Sequence, residues 1–335
     1  MEKKLYPMTF LADSLERHWG EIVYKLADLG FMDTTVAAGW FGGNTLGELM
    51  QTYLERVVGD TAFEYYGTQF PVMVKFLDIK GRTSLHVNPD DQAAGQRYDA
   101  FGKTALWYVA EAGPGAELYL GFKRDVTASE FYGKCQDGTV GDLLNVVHPK
   151  VGDAFLITPG LVHAAGGGVK IIEISESSDL FFRVADWGRE FTDEAREMHL
   201  EEAFDLIDFK AWQGPLLRGG KLAQEPQFAV SEIRLADPIH IFPEQSDSFL
   251  VYVCAAGEAM VQVPAETAVE HYPLYAGEVI LVPAELKDFF LVPADRSTVL
   301  LEVMMGKQHD EDSYIDSSAE PGLDEEDLDG MEERS

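Results

Sequence analysis

An internal repeat constrains the fold of this chain more than any other feature. LWYVAEAGPGAELYLG at 106–121 returns as FLVYVCAAGEAMVQV at 249–263, and VGDAFLITPGLVHAAGGGVKIIEIS at 151–175 returns as AGEVILVPAELKDFFLVPADRSTVLLEV at 276–303. Each copy reads as a strand, a Gly-containing turn and a strand. A Gly-Asp or Gly-Glu turn follows, then an apolar run to a proline and two more strands. Short runs of Val, Ile, Leu, Phe and Tyr at regular spacing, broken by Gly, Pro and Asp, fit an antiparallel double-sheet jelly roll. Two copies imply two such barrels in tandem.

Further strands are expected at 71–79, 84–87 and 180–184 in the first unit and at 228–234 in the second. Helices are few. One is expected at 45–59, where Thr45 and Glu48 make a capping-box pair and Leu46, Leu49, Met50, Tyr53, Leu54 and Val57 recur at helical spacing. A second follows Asp125, with Thr127 and Glu130 as cap pair, and a third covers 193–208. The fold class is therefore mainly β, with 1–214 and 215–308 as the two barrel units. A length of 335 residues suits two domains.

Residues 309–335 carry 12 acidic side chains and one Arg, so about a third of the chain's net −32 lies there. With few apolar residues, this segment reads as a disordered acidic tail. The acidic balance argues against polyanions, so neither nucleic acid nor an anionic membrane is an expected partner. MEKKLYPMTF has no apolar run behind its lysines, and no stretch reaches the roughly 18–20 apolar residues of a membrane span. Two distant cysteines, Cys135 and Cys254, make no disulfide framework. A cytoplasmic protein is expected.

The chemistry-bearing residues concentrate in the first unit. In a strand at 84–87 and its continuation, Ser84, His86 and Asn88 are two apart and share a face. Lys103 precedes the strand at 105–110, His163 follows a Pro-Gly turn, and Glu173 and Arg183 lie on the strands beyond. Lys103 and Arg183 are expected on neighbouring strands, facing a phosphate or a developing oxyanion; ordinary salt bridges explain them equally well. Gly166–Gly168 reads as a turn between strands, because no Lys-Ser/Thr or helix start follows. His148, His199, His240 and His271 read as structural. In the second unit, Lys287 or Asp288 stands where the first has His163, which leaves any metal chemistry to the first barrel.

These residues resemble the type I mannose-6-phosphate isomerase (phosphomannose isomerase) family of zinc-dependent cupins. The matches run from YPMTF and ERHWG to about Met305 and are clearest in FPVMVKFLD, NPDD, GAELYLGF, the Pro-Gly-x-Val-His-Ala turn and EISESSDLFFRVADWGR. The resemblance implies tandem cupin barrels and interconversion of mannose 6-phosphate and fructose 6-phosphate through an enediol, with one zinc as Lewis acid. It implies Arg183 on the enediolate, Lys103 and Ser84 positioning the sugar phosphate, and Glu173 or Lys103 as general base. The implied partner is a small phosphorylated sugar; the oligomeric state stays open.

Three of the four implied zinc positions depart from the family pattern. His86 stands for Gln, Asn88 for His and Ala105 for Glu, and only His163 is unchanged. The segment at 29–40 also lacks the family's usual motif. Two main expectations follow: an isomerase whose rearranged site (His86, Asn88, His163) holds one divalent metal weakly, or a catalytically inactive cupin paralogue that binds a sugar phosphate or a partner. A different metal-dependent isomerase or epimerase ranks behind both.

Overall fold

A computed structural model describes residues 4–192, 196–242, 247–265 and 268–306. The expected tail at 309–335 lies outside the described residues. The fold is mainly β, in two double-sheet barrels. In the first, a six-stranded sheet runs Ala154–Ile157, Ala105–Ala112, Val169–Glu176, Val72–Ile79, Gly20–Leu26, Asp13–Arg17. It faces a five-stranded sheet ordered Phe182–Ala185, Leu85–Val87, His163–Gly166, Glu117–Phe122, Leu144–Val147. In the second barrel, a four-stranded sheet faces a seven-stranded one that includes Ala229–Leu235, Thr298–Met304, Leu250–Ala256 and Val279–Val282.

One strand pairing joins the two units expected at 1–214 and 215–308. The strand Met8–Leu11 pairs antiparallel with Val279–Val282, Thr9 opposite Ile280, and carries Thr35–Val36 on its other side. The start of the chain thus extends a sheet of the C-terminal barrel. Residues 13–26 then form a hairpin on the edge of the first barrel.

The central strands of the first barrel bury both faces, which is why they read as unbroken apolar runs. Val72, Val74, Leu106, Tyr108, Ile172 and Ile174 point out of the barrel and pack in one cluster with Val251, Val253, Leu281, Leu301 and Val303 of the second. The alternate residues Leu77, Ile79, Trp107, Val109 and Ile171 point inward and join Phe155, Ile157, Leu118 and Leu120. The second barrel is filled inside by Leu235, Tyr252, Cys254, Phe289, Leu291 and Leu300.

The expected helix at 45–59 is two helices, Leu46–Tyr53 and Glu55–Val58, broken at Leu54, whose φ is 47°. Thr45 and Glu48 form the anticipated capping box. The helix after Asp125 spans Ala128–Gln136, capped by the Thr127 side chain. The helix expected at 193–208 is helical only at Leu200–Ala203; residues 193–195 lie outside the described residues. Pairing with the barrel overrides helix propensity just before it. The His199 N–H donates to the Arg183 carbonyl at 2.8 Å, and the Arg183 N–H donates to His199 Nδ1 at 3.2 Å. A helix at Asp91–Tyr98 was not expected; Asp90 caps it, accepting from the Ala93 N–H at 2.7 Å.

Candidate active site

Two cross-strand rows face each other inside the first barrel. On the six-stranded sheet, Lys75, Glu173 and Trp107 stand in register on three adjacent strands. On the five-stranded sheet, Arg183, His86 and His163 do the same. The rows meet where the Trp107 and His163 rings pack edge-on, with centroids 5.3 Å apart. Between them is a cavity of about 270 Å³, lined also by Arg17, Ser84, Lys103, Asp179, Phe181 and Arg196. Lys103, just before the strand Ala105–Ala112 of the six-stranded sheet, and Arg183, on the five-stranded sheet, are therefore not on neighbouring strands as expected. They still line the same cavity, because the barrel closes over it.

Glu173 organises the floor. Its Oε2 accepts from Trp107 Nε1 at 2.8 Å, and its Oε1 lies 3.0 Å from Lys75 Nζ and 3.1 Å from Lys103 Nζ. Lys75 also reaches Asp179 at 3.3 Å. All three floor side chains are buried, at 5–7% exposure. Burial pushes the Glu173 pKa up, but the Lys103 and Lys75 charges outweigh it and hold the carboxyl well below its ordinary value. Burial opposes the Lys75 charge too, yet Glu173 and Asp179 outweigh it and raise its pKa. For Lys103 burial wins over Glu173, with Lys75 adding to it, and its pKa is lowered.

His86 and His163 are packed edge to face, centroids 4.0 Å apart. His163 Nδ1 lies 2.8 Å from the Leu161 carbonyl and His86 Nδ1 lies 3.0 Å from the Ser84 carbonyl. A carbonyl can only accept, so each Nδ1 carries the proton and each Nε2 keeps its lone pair. Burial lowers the His163 pKa to about 4, and burial together with the adjacent His163 puts His86 well below its ordinary value. Both rings are neutral at pH 7.

The mouth is arginine-rich. Arg196 donates to Ser84 Oγ at 2.8 Å and to Asp186, which also accepts from Ser84 Oγ at 2.8 Å and from Arg189 at 2.7 Å. Burial works against the Asp186 charge, but these bonds outweigh it and bring the pKa to about 2. Arg183 donates to the Glu197 carbonyl at 2.7 Å, while its Nε is buried with no hydrogen-bond partner among the described residues. Burial, then the charge of Arg196, lowers the Arg183 pKa, and Arg17 adds to the crowding.

Of the expected residues, Ser84, His86, Lys103, Glu173 and Arg183 line the cavity, and His163 packs on His86 at its edge. Asn88 does not line it, contrary to the shared-face expectation. The strand ends at Val87, and the chain leaves toward the Asp90 cap. Asn88 is 1% exposed, and neither polar atom of its amide has a partner among the described residues. Arg17, Lys75, Trp107 and Arg196 were not singled out from the sequence. Lys75 had a signal, a lone cation in the apolar run FPVMVKFLDI. Arg17 had one too, its place in ERHWG; Arg196 had none.

Do these residues suit the zinc that the family resemblance implies? Ala105, 1% exposed, offers no donor. The carboxylate of Glu173 is committed to two ammonium groups and an indole N–H. Among the described residues, no three His, Cys, Asp or Glu side chains are grouped to hold a metal ion. Two imidazoles on one tetrahedral zinc, with Zn–N of about 2.0–2.1 Å, keep their centroids about 5 Å apart. Here they are 4.0 Å apart at an interplanar angle of 61°. The residues present do not fit a catalytic zinc.

Fold and site define a tandem cupin with a cationic pocket in one barrel. No family model matches the chain. It is 29% identical over 232 residues to the mannose-6-phosphate isomerase of Streptococcus mutans, covering 66% of this chain and 70% of that one. It is 27% identical over 314 residues to a mannose-6-phosphate isomerase of Bacillus subtilis, covering 85% and 95%. Among solved structures, a mannose 6-phosphate isomerase from Bacillus subtilis superposes with a TM-score of 0.75 at 23% identity, over 89% of this chain and 99% of that one. A point variant of the phosphomannose isomerase of Salmonella typhimurium gives 0.72 at 13% identity, over 90% and 100%. These likenesses support the type I mannose-6-phosphate isomerase family of cupins.

Proposed function

We propose that the first barrel binds a hexose 6-phosphate and interconverts mannose 6-phosphate and fructose 6-phosphate. One observation carries the reading. The guanidinium groups of Arg17, Arg183 and Arg196 crowd one another at the mouth of a cavity, in a chain of net charge −32. Like charges are gathered at this cost where an anion is to be held.

In this reading Arg17 and Arg196 take the phosphate, with Ser84 fixing Arg196, and the C1–C2 end of the sugar lies on the floor. Isomerisation removes the proton from C2 and adds one to the C1 oxygen, giving an enediol. A proton then returns to C1 as the C2 hydroxyl loses its own and becomes the ketone. Arg183, beside His86, faces the developing enediolate oxygen. Of the two candidate bases, Glu173 is a poor one, since two ammonium groups hold its charge. Lys103 stands on Glu173 as an ammonium; its lowered pKa eases transfer of that proton to the sugar's C1 oxygen, after which its amine can take the proton from C2.

A second reading, binding without turnover, is favoured by Ala105 in place of a carboxylate. Titration calorimetry with mannose 6-phosphate, fructose 6-phosphate and mannose, together with a coupled turnover assay, tests both. The phosphorylated sugars should bind at least about tenfold more tightly than mannose, and Arg196→Met should remove most of that preference. Equal affinity for mannose would sink the phosphosugar reading; binding with no turnover selects the second. Two buried, unpaired thiols, Cys135 and Cys254, suit the reducing cytoplasm in which we place the protein.

A further inference from the structure

We infer that this pocket takes its phosphorylated sugar without a divalent metal, the positive charge at its floor being supplied by the Lys75–Lys103 ammonium pair held on Glu173. The inference rests on the phosphosugar reading above.

The floor already holds a cation. Lys75 and Lys103 flank one carboxylate oxygen at 3.0 and 3.1 Å, and Trp107 occupies the other at 2.8 Å. For Glu173 to ligate a metal it would have to leave both ammonium groups buried without their shared anion, which is strongly disfavoured. The field adds to this. Arg17, Lys75, Lys103, Arg183 and Arg196 line the cavity against only Glu173 and Asp179. A dication among them would meet net repulsion, whereas a sugar phosphate dianion meets attraction. The imidazoles of His86 and His163 are packed on each other, and their Nε2 lone pairs remain as acceptors for sugar hydroxyls. Ala105 completes the arrangement. Where a carboxylate would offset a metal's charge there is a methyl group in the apolar cluster with Trp107 and Phe155.

The test uses full-length protein purified without chelator. Its metal content is measured, and its affinity for mannose 6-phosphate is determined as purified, after chelation and with Zn²⁺ or Mn²⁺ added. We expect sub-stoichiometric metal and an affinity unchanged within about twofold across the three states. Lys103→Met should weaken binding at least about tenfold, and Lys103→Arg, which keeps the charge, should keep most of it. Near one metal per chain, with binding lost on chelation and restored by metal, would overturn the inference and leave the phosphosugar reading standing. No binding in any state would overturn both.

Discussion

Glu173 has three cationic or N–H partners within 3.1 Å and almost no contact with solvent. Replacing it removes the one anion shared by two buried lysines. Glu173→Gln should cost about 3–5 kcal/mol of unfolding free energy, read from urea titrations. Three residues along the same strand, Glu176 presents the opposite case. It is 1% exposed; its Oε2 accepts from the Thr104 N–H at 2.6 Å, and its Oε1 has no hydrogen-bond partner among the described residues. Burial first, then the charge of Asp91, raises its pKa to about 8, with Lys103 opposing. A carboxyl raised in the folded state binds more protons there than in the unfolded chain. Its contribution is therefore full below the unfolded value of 4.5 and is lost as pH rises through about 8. The lowered His163 works the other way, between its ordinary value and about 4. The clean window for Glu176 lies above pH 6.5. Across it, Glu176→Gln should gain stability relative to the parent as pH rises to 8, then hold that gain. A flat difference from pH 6.5 to 9 would refute the assignment.

The strands show what the sequence could and could not convey. Those at the centre of the first barrel were legible because both faces are apolar, and an apolar run needs no register to be recognised. The site was legible residue by residue at Ser84, His86, Lys103, His163, Glu173 and Arg183, where motifs carry it. Its two rows were not. Which residues stand opposite one another is a property of pairing, and nothing local says that Lys75 meets Glu173 or that Arg183 meets His86. Arg196 was hidden for a similar reason: a charged segment that reads as helix is drawn out straight by His199 pairing with Arg183. The Gly166–Gly168 turn was read correctly as a connection between strands, and its geometry makes a sharp prediction. Gly167 has φ of 76°, and a Cβ there would sit 1.7 Å from the Gly115 carbonyl oxygen. Since that neighbour is backbone, Gly167→Ala should destabilise by at least about 2 kcal/mol in thermal or denaturant unfolding. His163 should lose its alignment with His86 as the hairpin shifts.

At the scale of the whole molecule, the two barrels share a core. Outward residues of the first barrel's central strands and inner-sheet residues of the second belong to one buried cluster, and Tyr108 donates across it to Glu232 at 3.2 Å. This is the anatomy of a domain interior more than of a contact between independent domains. Residues 1–214 expressed alone should therefore be insoluble or molten, with lost near-ultraviolet circular dichroism; a sharp cooperative melt of that fragment would disprove it. The arrangement also gives the second barrel a part in the site, since it walls the back of the sheet on which Lys75, Trp107 and Glu173 are mounted.

The strand Met8–Leu11 is made long before one of its two partners. Ile280, opposite Thr9, lies some 270 residues downstream, and at about 5–20 residues per second a ribosome takes tens of seconds to reach it. For that interval Met8, fully buried in the finished molecule, has no sheet to enter, and its unpaired edge is available to any passing strand or chaperone. A nascent chain cut short before the strand Val279–Val282 would keep that edge open for good, leaving a template for edge-to-edge pairing that the complete sheet conceals.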